Sequence, residues 1–470
     1  MVQSVSPSAC ITGSCHPFVW KHLTQHSSLC PLLIEALPRF FGRPGLRLLC
    51  PPDVPSRRMM NPSPTPGPVT QIADKTPTWK ISPANGKYYI NSVAVSADGG
   101  RVVGGTFYHH YGAGESRRGP ALPPMPSEGN AASPDDGTFG VYCYDRTGQF
   151  QWKDEFAGWQ GVYWVALSAN GARAAAGGFM SQSLPQGFVR AYDADNQGRR
   201  LLSYATEQRV NQVALSADGA SLIVAAGTLM LFRYVATRGA HEMFGEFRSA
   251  SGHAFASAAI SADGNTVVYA DYGGEVGVMT NLNSSGYFTP MARWQVPGGG
   301  KADFCHMLDL APDGKCFAAG GAKGLFYFFD VESFFATQTP LHSYDTTVSG
   351  AVYGVAVAGD GSAFAGIVNN GDAGTACHVP LVNGANGPAK PFPTQHNPNS
   401  VVLNAAHGMM AVADGHPDGT PGCFYLFDTT TGALRWKCPA GNMSWPVAIA
   451  ANGSAVAGGS DDSSIYYLTP

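Results

Sequence analysis

The stretch VALSADGASLIVAAG (Val213–Gly227) decides the fold, because it combines an alternating strand, an Asp-Gly turn and a second strand ending in small residues. Asp-Gly supplies the positive φ that a tight hairpin turn requires, and strand-forming residues flank it. In the first strand Val and Leu alternate with Ala and Ser, so both faces are apolar or small. We expect such a strand to be buried on both sides by neighbouring sheets.

The same phrase recurs along the chain, and this repetition is the main architectural signal. Measured at the residue before the turn glycine, which we call the turn anchor, the intervals are 72, 48, 45, 50, 47, 47 and 45 residues. A third strand ending in aromatic-Asp, such as Tyr192-Asp193, and a fourth containing Trp, such as Trp436, follow several copies. The copies are Val93–Gly105, Val165–Gly178, Val213–Gly227, Ala258–Ala270, Leu308–Gly321, Val355–Gly366, Val401–Ala413 and Val447–Gly459.

Four strands in each repeat predict an all-β fold, an eight-bladed β-propeller of four-stranded antiparallel blades. Seven blades are the alternative if one copy is degenerate. The last copy stops after three strands, at Tyr466-Tyr467-Leu468. Thr78-Trp79-Lys80-Ile81 precedes the first copy and matches the fourth-strand pattern of Trp152-Lys153. We therefore expect this N-terminal strand to complete the last blade, which removes two sheet edges and closes the ring.

The repeat resembles those of the WD40-type and quinoprotein-like propeller families over roughly residues 78–470. GGSDDSSIYYL (Gly458–Leu468) resembles a WD40 repeat, whereas DTTTGALRWK (Asp428–Lys437) resembles the quinoprotein-like repeat. The resemblance implies the fold but not the activity, since propellers include enzymes, receptors and scaffolds. Quinoprotein dehydrogenases use adjacent cysteines, and this sequence has no Cys-Cys pair. We expect no cofactor.

Composition narrows the classes of partner. Charged residues make up 13% of the chain, the formal net charge is −4, and no basic stripe is visible, so we expect no nucleic-acid partner. No apolar run is long enough to span a membrane and no secretory pattern opens the chain, which predicts a cytoplasmic protein without a membrane partner. The cysteines lack the paired spacing of a zinc site, so no metal site is predicted.

The N-terminal segment differs from the repeats. Residues 1–58 contain neither alternating strands nor the repeated phrase, and NPSPTPGPVTQIADKTP (Asn61–Pro77) is a Pro-rich stretch expected to be extended. We therefore divide the chain into a disordered or non-native leader with a Pro-rich linker, residues 1–77, and a single propeller domain, residues 78–470.

A binding site is expected at one end of the propeller. In each blade the connections between strands two and three, and between strand four and the next blade, open at the same end, which we call the loop rim. The tight Asp-Gly turns lie at the other end, the turn rim. Insertions mark the loop rim, and almost none are predicted at the turn rim. They occupy residues 109–138, 180–187, 369–376 and 414–422.

The candidate ligand-binding residues come from comparing positions before each first strand. At two positions, seven residues before the turn anchor and about three residues before that, the repeats carry aromatic and hydrogen-bonding side chains. Below them the strands are apolar, and a pocket at the channel mouth requires this combination. Ordinary exposed loop residues are the alternative reading. The candidates are Tyr163, Asn211, His253, Asp303, His306, Tyr353 and Trp445.

Three other residues carry expectations. Asp309 lies where most repeats have Ala, and we expect water in the central channel to solvate its carboxylate. Cys423 and Cys438 flank the last complete hairpin and are expected to face each other as two thiols.

The predicted function is non-catalytic binding or scaffolding, in which the loop rim is presented to a protein, peptide or small ligand. The alternative is an enzyme of lyase or hydrolase type that acts at the channel mouth through His253, Asp303 and His306. None of the GxSxG, HExxH, Walker A or Rossmann motifs occurs in the sequence, so no catalytic residues are assigned.

Overall fold

The computed structural model describes residues 73–86, 88–107, 138–157, 161–179, 186–298, 307–321, 323–347, 350–369, 374–416 and 419–470. Strand β1 (Trp79–Ile81) comes first. The strands after it pair antiparallel in consecutive sets, which we call groups 1 to 8 in chain order. Two short 3-10 helices, Pro83–Gly86 and Ala405–His407, and two α-helices lie between strands.

Groups 1 to 4 each contain four strands that pair in sequence order. Group 1 consists of β2 (Tyr89–Val95), β3 (Arg101–Phe107), β4 (Thr138–Asp145) and β5 (Phe150–Ala157), and group 2 of β6 (Gly161–Leu167), β7 (Arg173–Phe179), β8 (Gly187–Asp193) and β9 (Arg199–Thr206). Group 3 consists of β10 (Gln212–Leu215), β11 (Ser221–Ala225), β12 (Leu229–Val235) and β13 (Ala240–Phe247), and group 4 of β14 (Phe255–Ile260), β15 (Val267–Asp271), β16 (Glu275–Met279) and β17 (Ala292–Gln295).

Groups 5 to 8 follow the same order, with a short extra strand in group 6 and three strands of their own in group 8. Group 5 consists of β18 (Leu308–Leu310), β19 (Cys316–Gly320), β20 (Leu325–Asp330) and β21 (His342–Asp345), and group 6 of β22 (Ala351–Val357), β23 (Ala363–Asn369), β24 (Thr375–Val382), β25 (Ala385–Asn386) and β26 (Lys390–Pro393). Group 7 consists of β27 (Pro398–Asn404), β28 (Met409–Asp414), β29 (Cys423–Asp428) and β30 (Leu434–Pro439), and group 8 of β31 (Ser444–Ile449), β32 (Val456–Ser460) and β33 (Ser464–Leu468).

The first strands of successive groups lie side by side in a cycle. Each contacts the first strand of the next group, and β31 contacts β2 to complete the circuit. One strand pair, Phe107 with Gly161, also joins groups 1 and 2 into a continuous sheet. This all-β arrangement of antiparallel four-stranded sheets is consistent with a β-propeller.

The predicted closure is confirmed. Strand β1 pairs antiparallel with β33, with Trp79 opposite Tyr467 and Lys80 opposite Tyr466. The Trp79 ring stacks on Tyr467 with centroids 5.2 Å apart. Lys80 Nζ lies 2.8 Å from Asp462 Oδ2, so an ion pair joins positions 382 residues apart. The segment before β1 also contacts the folded groups, because Lys75 N–H donates to Lys437 O (2.7 Å).

The core is divided among the interfaces between groups. Each hydrophobic cluster of the described residues combines buried side chains from two neighbouring groups, and one of them joins group 8 to group 1. In the group 2–3 cluster, for example, Val189 packs with Val213 and Phe232. No single group has a core of its own, so stability depends on stacking neighbours.

The Asp-Gly turns form as predicted, and the repeated Ser adds a reason for their sequence. Gly99 adopts φ 69°, and its N–H donates to Ser96 O (2.9 Å). Ser96 Oγ donates to Asp98 Oδ1 (2.6 Å) and accepts the N–H of Arg101 (3.0 Å). The same Ser–Asp or Ser–Asn pair occurs in groups 2, 3 and 4. The side chains therefore hold the turn closed.

Backbone hydrogen bonds link the turns of neighbouring groups. Ala97 N donates to Ala169 O (2.9 Å), Ala169 N to Ala217 O (2.9 Å), Ala217 N to Ala262 O (2.9 Å) and Ala262 N to Pro312 O (2.8 Å). Group 7 has lost the Asp-Gly turn and uses a side chain instead. There Asn404 Nδ2 donates to Ala450 O (2.9 Å) and Ala451 O (3.0 Å). At the turn rim, neighbouring groups are thus held together by backbone hydrogen bonds and by one asparagine amide.

The expectation that first strands are buried on both faces is wrong in part. Ala94, Ala166 and Ala214 are partly exposed, whereas every residue of second strands such as β11, β15 and β19 is buried. The reason is position. The first strand has its group on one side and the interior of the ring on the other, while the second strand lies between two partners.

The expectation of almost no growth at the turn rim is also wrong. The connection between strands three and four lies at this end, and it contains α1 (Leu282–Ser285) in group 4 and α2 (Val331–Thr337) in group 5. Asp330, predicted only to end a strand, also caps α2 by accepting the N–H of Ser333 (2.8 Å). Val331 and Phe334 bury against the group 4–5 cluster, which explains the insertion.

The structure adds protein contacts to Asp309 and corrects the expectation for the cysteine pair. Asp309 Oδ2 accepts Val357 N–H (2.9 Å) and Oδ1 accepts Leu310 N–H (3.0 Å), and the residue is partly exposed. Burial raises its pKa to about 6. Cys423 packs in the group 6–7 cluster and Cys438 in the group 7–8 cluster. They point to opposite faces of their sheet, because successive strand positions alternate.

Candidate functional site

The predicted positions at the loop rim coincide with breaks in the strand register. In group 1 the pairing of β2 skips Asn91, and in group 2 the pairing of β6 skips Tyr163. A β-bulge leaves its extra residue out of the ladder and re-aims that side chain. The equivalent skipped residues in groups 4, 6, 7 and 8 are Ala256, Tyr353, Asn399 and Trp445.

Asparagines at this position connect one group to the next. Asn91 Nδ2 donates to Tyr163 O (2.8 Å), and Asn399 Nδ2 donates to Ser444 O (2.9 Å). The predicted ligand-binding residue Asn211 does the same, with Nδ2 donating to Phe255 O (2.7 Å). Asn211 is 5% exposed, and its Oδ1 accepts from Arg209, so both ends of its amide are engaged within the protein. Its contacts are those of a structural link.

Tyr163 belongs to an aromatic cluster with Phe107 and Phe179. The three rings lie 5.9 to 6.0 Å apart, and Tyr163 meets both phenylalanines edge to face. The Arg209 guanidinium lies over Tyr163 at 4.9 Å and over Phe179 at 5.0 Å from the ring centroids. This places a cation against aromatic faces at the loop rim.

Two hydrogen bonds fix the direction of Arg209. Its Nε donates to Asn211 Oδ1 (2.5 Å) and its Nη2 donates to Tyr272 Oη (3.1 Å). Burial raises the pKa of Tyr272 to about 12, so the phenol stays protonated. The neighbouring Val210 is wholly buried and occupies the space left by Gly177, which anchors the loop below Arg209.

His253 lies on a well-bonded loop between groups 3 and 4. It is exposed, and its N–H donates to Ser251 Oγ (3.2 Å). Beneath it the buried Asp271 accepts from the hydroxyls of Ser249 (2.5 Å) and Ser251 (2.6 Å) and from the N–H groups of Gly273 and Glu275. This carboxylate organises the loop and has its oxygens engaged.

The remaining candidates are separated or lie outside the described chain. Tyr353 is partly buried and packs against the group 6–7 cluster. Trp445 is partly exposed at the bulge of β31 in group 8. Asp303 and His306 fall outside the described residues. The structure therefore brings Tyr163 and Asn211 together through Arg209, and places His253 in the adjoining loop.

A second set of rim residues was missed by sequence reasoning. Nine residues after the turn anchor, where the second strand ends, the chain has Phe107, Phe179 and Tyr272 in groups 1, 2 and 4, and Asp461 in group 8. A constant offset could have found them, since the same anchors located Tyr163. They were overlooked because the other repeats share no residue type there: the position holds Gly227, Ala322, Asn369 and His416 in groups 3, 5, 6 and 7.

Asp461 and Asp462 are neighbours whose acidities move in opposite directions. Burial raises the pKa of Asp461 to about 7, and the charge of Asp462 adds to the effect. Burial acts on Asp462 too, but Lys80 and Tyr466 outweigh it and lower the pKa of that carboxyl. Asp462 is thus part of ring closure, whereas no cation of the described ranges forms an ion pair with Asp461.

Two further observations bear on the class of site. Within the described residues, no three His, Cys, Asp or Glu side chains are grouped so as to hold a metal ion. None of the described helices has the length and apolar character needed to cross a membrane.

Comparison with known proteins relates the chain to solved structures only. No protein-family model and no curated protein sequence matches it. It is similar to a crystal structure of Sqt1 from Chaetomium thermophilum, with TM-score 0.59 and 14% identity, covering 82% of this chain and 97% of that chain. A second Sqt1 structure gives TM-score 0.58, 14% identity and coverage of 82% and 95%. A third, of Sqt1 bound to the N-terminus of the ribosomal protein L10, gives TM-score 0.59, 14% identity and coverage of 82% and 97%. At this identity the likeness concerns the fold.

Proposed function

We propose that this chain is a non-catalytic binding protein that presents the loop rim of an eight-bladed propeller to a protein or peptide. Each strand group is one blade, β1 completes the eighth, and the propeller domain spans residues 78–470. Residues 1–77 are the leader and Pro-rich linker that precede this cytoplasmic binding module, and the end of the linker contacts group 7 through Asp74 and Lys75. The cycle of first strands and the pairing of β1 with β33 support this blade count.

The observation that carries the functional proposal is the difference between positions that repeat and positions that vary. At the turn rim the inter-blade bonds use Ala97, Ala169 and Ala217 in the same way. At the loop rim the equivalent positions hold Tyr163, Trp445 and other dissimilar side chains. Aromatic residues and arginine are enriched where proteins bind one another.

The solved structures lend support of a second kind. Sqt1, whose fold this chain is similar to, has been solved in complex with the N-terminus of a ribosomal protein. A propeller of this shape can therefore receive a terminal segment of another protein. The identity of the partner does not transfer at 14% sequence identity, but the type of partner is a reasonable expectation.

The test is selection of peptide ligands followed by mapping. A randomised dodecapeptide library is panned against the full chain, and the selected peptides are measured by fluorescence anisotropy. We expect Trp445→Ala and Tyr353→Ala at the loop rim to weaken binding by about tenfold or more each, as loss of aromatic anchors does. Thr147→Ala, an exposed residue in a turn-rim connection, is the control and should bind as wild type does.

Failure of any peptide to enrich would contradict the proposal. So would enriched peptides whose affinity falls with Thr147→Ala and remains unchanged with both loop-rim variants.

A further inference from the structure

Arg209 is held as if for a ligand that the described chain does not supply. Its guanidinium has five N–H donors. Two of them are used, by Asn211 and Tyr272. No other acceptor among the described residues takes the rest, and no described carboxylate forms an ion pair with Arg209. A partly buried cation is normally paired, and the described part of the chain leaves this guanidinium without a carboxylate.

The carboxylates close to Arg209 in sequence or structure are engaged elsewhere. Glu207, in the same loop, lies 3.6 Å from Arg248. Asp271, next to Tyr272, receives hydrogen bonds from two serine hydroxyls and two backbone N–H groups. Among the residues that the structure describes, the charge of Arg209 therefore has no compensating carboxylate at this point of the loop rim.

The cluster is also pre-organised. Stacking over Tyr163 and Phe179 and the bonds to Asn211 and Tyr272 restrict the long side chain. Asn211 is fixed in turn by its bond to Phe255 O in the next group (2.7 Å). An arginine immobilised before binding loses less conformational freedom on binding, and its planar fork matches two oxygens of one group.

We propose that Arg209 binds a carboxylate of the partner peptide at the loop rim, with Tyr163 and Phe179 forming the apolar walls around it. This proposal rests on the proposed function and adds the chemistry of the ligand. A single guanidinium between aromatic rings matches the single negative charge of a carboxylate. Phosphoryl groups, which carry nearly twice that charge, are usually met by clusters of arginines.

Two sources of the carboxylate are distinguished by two libraries. One randomised dodecapeptide library is fused through its C-terminus, and the other has a free C-terminus. Enrichment of Asp or Glu at one fixed position in either library identifies a side-chain carboxylate. Enrichment confined to the second library, lost when the peptide is synthesised with a C-terminal amide, identifies the terminal carboxylate. Either result supports the proposal.

The decisive measurement is a double-mutant cycle on a selected peptide. Arg209→Gln should weaken binding by about tenfold or more, and replacing the peptide acid by its amide should have the same effect. Together the two changes should cost little more than one. Arg209→Lys keeps the charge but loses the planar fork, so its affinity for the peptide should lie between that of wild type and that of Arg209→Gln.

Controls separate a binding role from a structural one. Arg238→Gln removes an exposed arginine from the opposite end of the same group, where it pairs with Glu242, and should leave affinity unchanged. Thermal unfolding of Arg209→Gln checks that the variant is folded.

The outcomes are distinguishable. Peptides that enrich without an acid and bind Arg209→Gln as tightly as wild type overturn this inference and leave the proposed function standing. If the Arg209 and acid effects are additive, the inference also fails. Absence of any enriched peptide removes both proposals.

Discussion

The two rims of the molecule are formed by the same repeated strands, but they differ in how uniform their contacts and side chains are. At the turn rim a backbone hydrogen bond passes from Ala97 to Ala169 to Ala217 to Ala262, so the contact made by groups 1 to 4 is nearly the same. At the loop rim the aligned positions hold asparagine, tyrosine, alanine or tryptophan at a bulge. Because hydrogen bonds at the turn rim hold neighbouring groups together, the residue types at the loop rim can differ from one group to the next. Changes that break the ring should therefore cost stability, and changes at the varied positions should cost binding.

The largest expected effect comes from removing the closure strand. Deletion of residues 78–82 removes the β1–β33 ladder and the Trp79–Tyr467 stack, and should lower the free energy of unfolding by about 5 kcal/mol or more. Chemical denaturation monitored by tryptophan fluorescence and circular dichroism measures it. Deletion of residues 1–58 is the control and should leave the transition unchanged. Equal transitions for the two deletions would show that the ring does not depend on β1.

A packing change between groups should rank next. A Cβ on Gly177 would overlap Val210 of the next group, and Gly105 faces Val162 in the same way. Gly177→Val should therefore cost about 3 kcal/mol of unfolding free energy through overpacking. Ser203→Val, an exposed position on β9 of the same group, should change it by less than about 0.5 kcal/mol. A small effect at Gly177 would mean that the groups are not stacked as described.

A pH-dependent pair sharpens the contrast within one loop. The raised pKa of Asp461 means that the folded state holds a proton that the unfolded state releases, so stability is lost as pH rises from about 4 to about 7. Asp461→Asn should gain about 2 kcal/mol at pH 8 and almost nothing at pH 4. Unfolding curves at the two pH values measure the difference.

The neighbouring Asp462 is the matched control with opposite sign. Its pKa is lowered in the folded state, so its contribution is present at neutral pH and is lost as pH falls through the acidic range. Asp462→Asn should therefore destabilise the protein at pH 7, with a smaller effect under acid conditions. The same sign for both variants at pH 8 would contradict the assignment.

Loss of the side-chain hydrogen bonds that link group 7 to group 8 at the turn rim should have a smaller effect on the free energy of unfolding. Asn404→Ala removes the bonds to Ala450 O and Ala451 O and should cost about 1.5 kcal/mol. Asn196→Ala, an exposed turn residue, should be nearly neutral in the same unfolding assay. If Asn404→Ala is equally neutral, the turn rim does not need a tie in that group.

The smallest stability effect is expected at the varied rim. Arg209→Gln should change the free energy of unfolding by less than about 1 kcal/mol, because its cation–π contacts are worth little at a partly exposed site. A loss of several kcal/mol would assign Arg209 to the scaffold.

The fold could be predicted because its signals are local and repeated. Gly219 and its equivalents require a left-handed backbone, and the spacing between them leaves room for four short strands in each repeat. The closure strand was found because Trp79 repeats the pattern of Trp152. Helix α2 was not found, since Phe329-Asp330 is the same ending that precedes a turn in other repeats, and only tertiary burial of Phe334 makes it a helix cap.

The candidate site could be predicted only in position. A constant offset located Tyr163 and Asn211, but the hydrogen bond from the Asn211 amide to Phe255 O in the next group has no sequence signature. Arg209 was missed because its position holds no other arginine in the repeats, so comparison gives it no weight. Its importance comes from rings of groups 1, 2 and 4 meeting at one point, which requires the assembled ring.

Ring closure is the claim on which the rims depend, and hydrogen exchange of the full chain tests it most directly. We predict that those amides of residues 78–81 that donate to β33, such as Thr78 N–H to Tyr467 O (2.8 Å), exchange as slowly as the amides of 465–467, and that both exchange in one cooperative step with the second strands. Fast exchange at those β1 amides, at the rate of the exposed turn residues 236–237, together with an intact slow core, would contradict the closed ring.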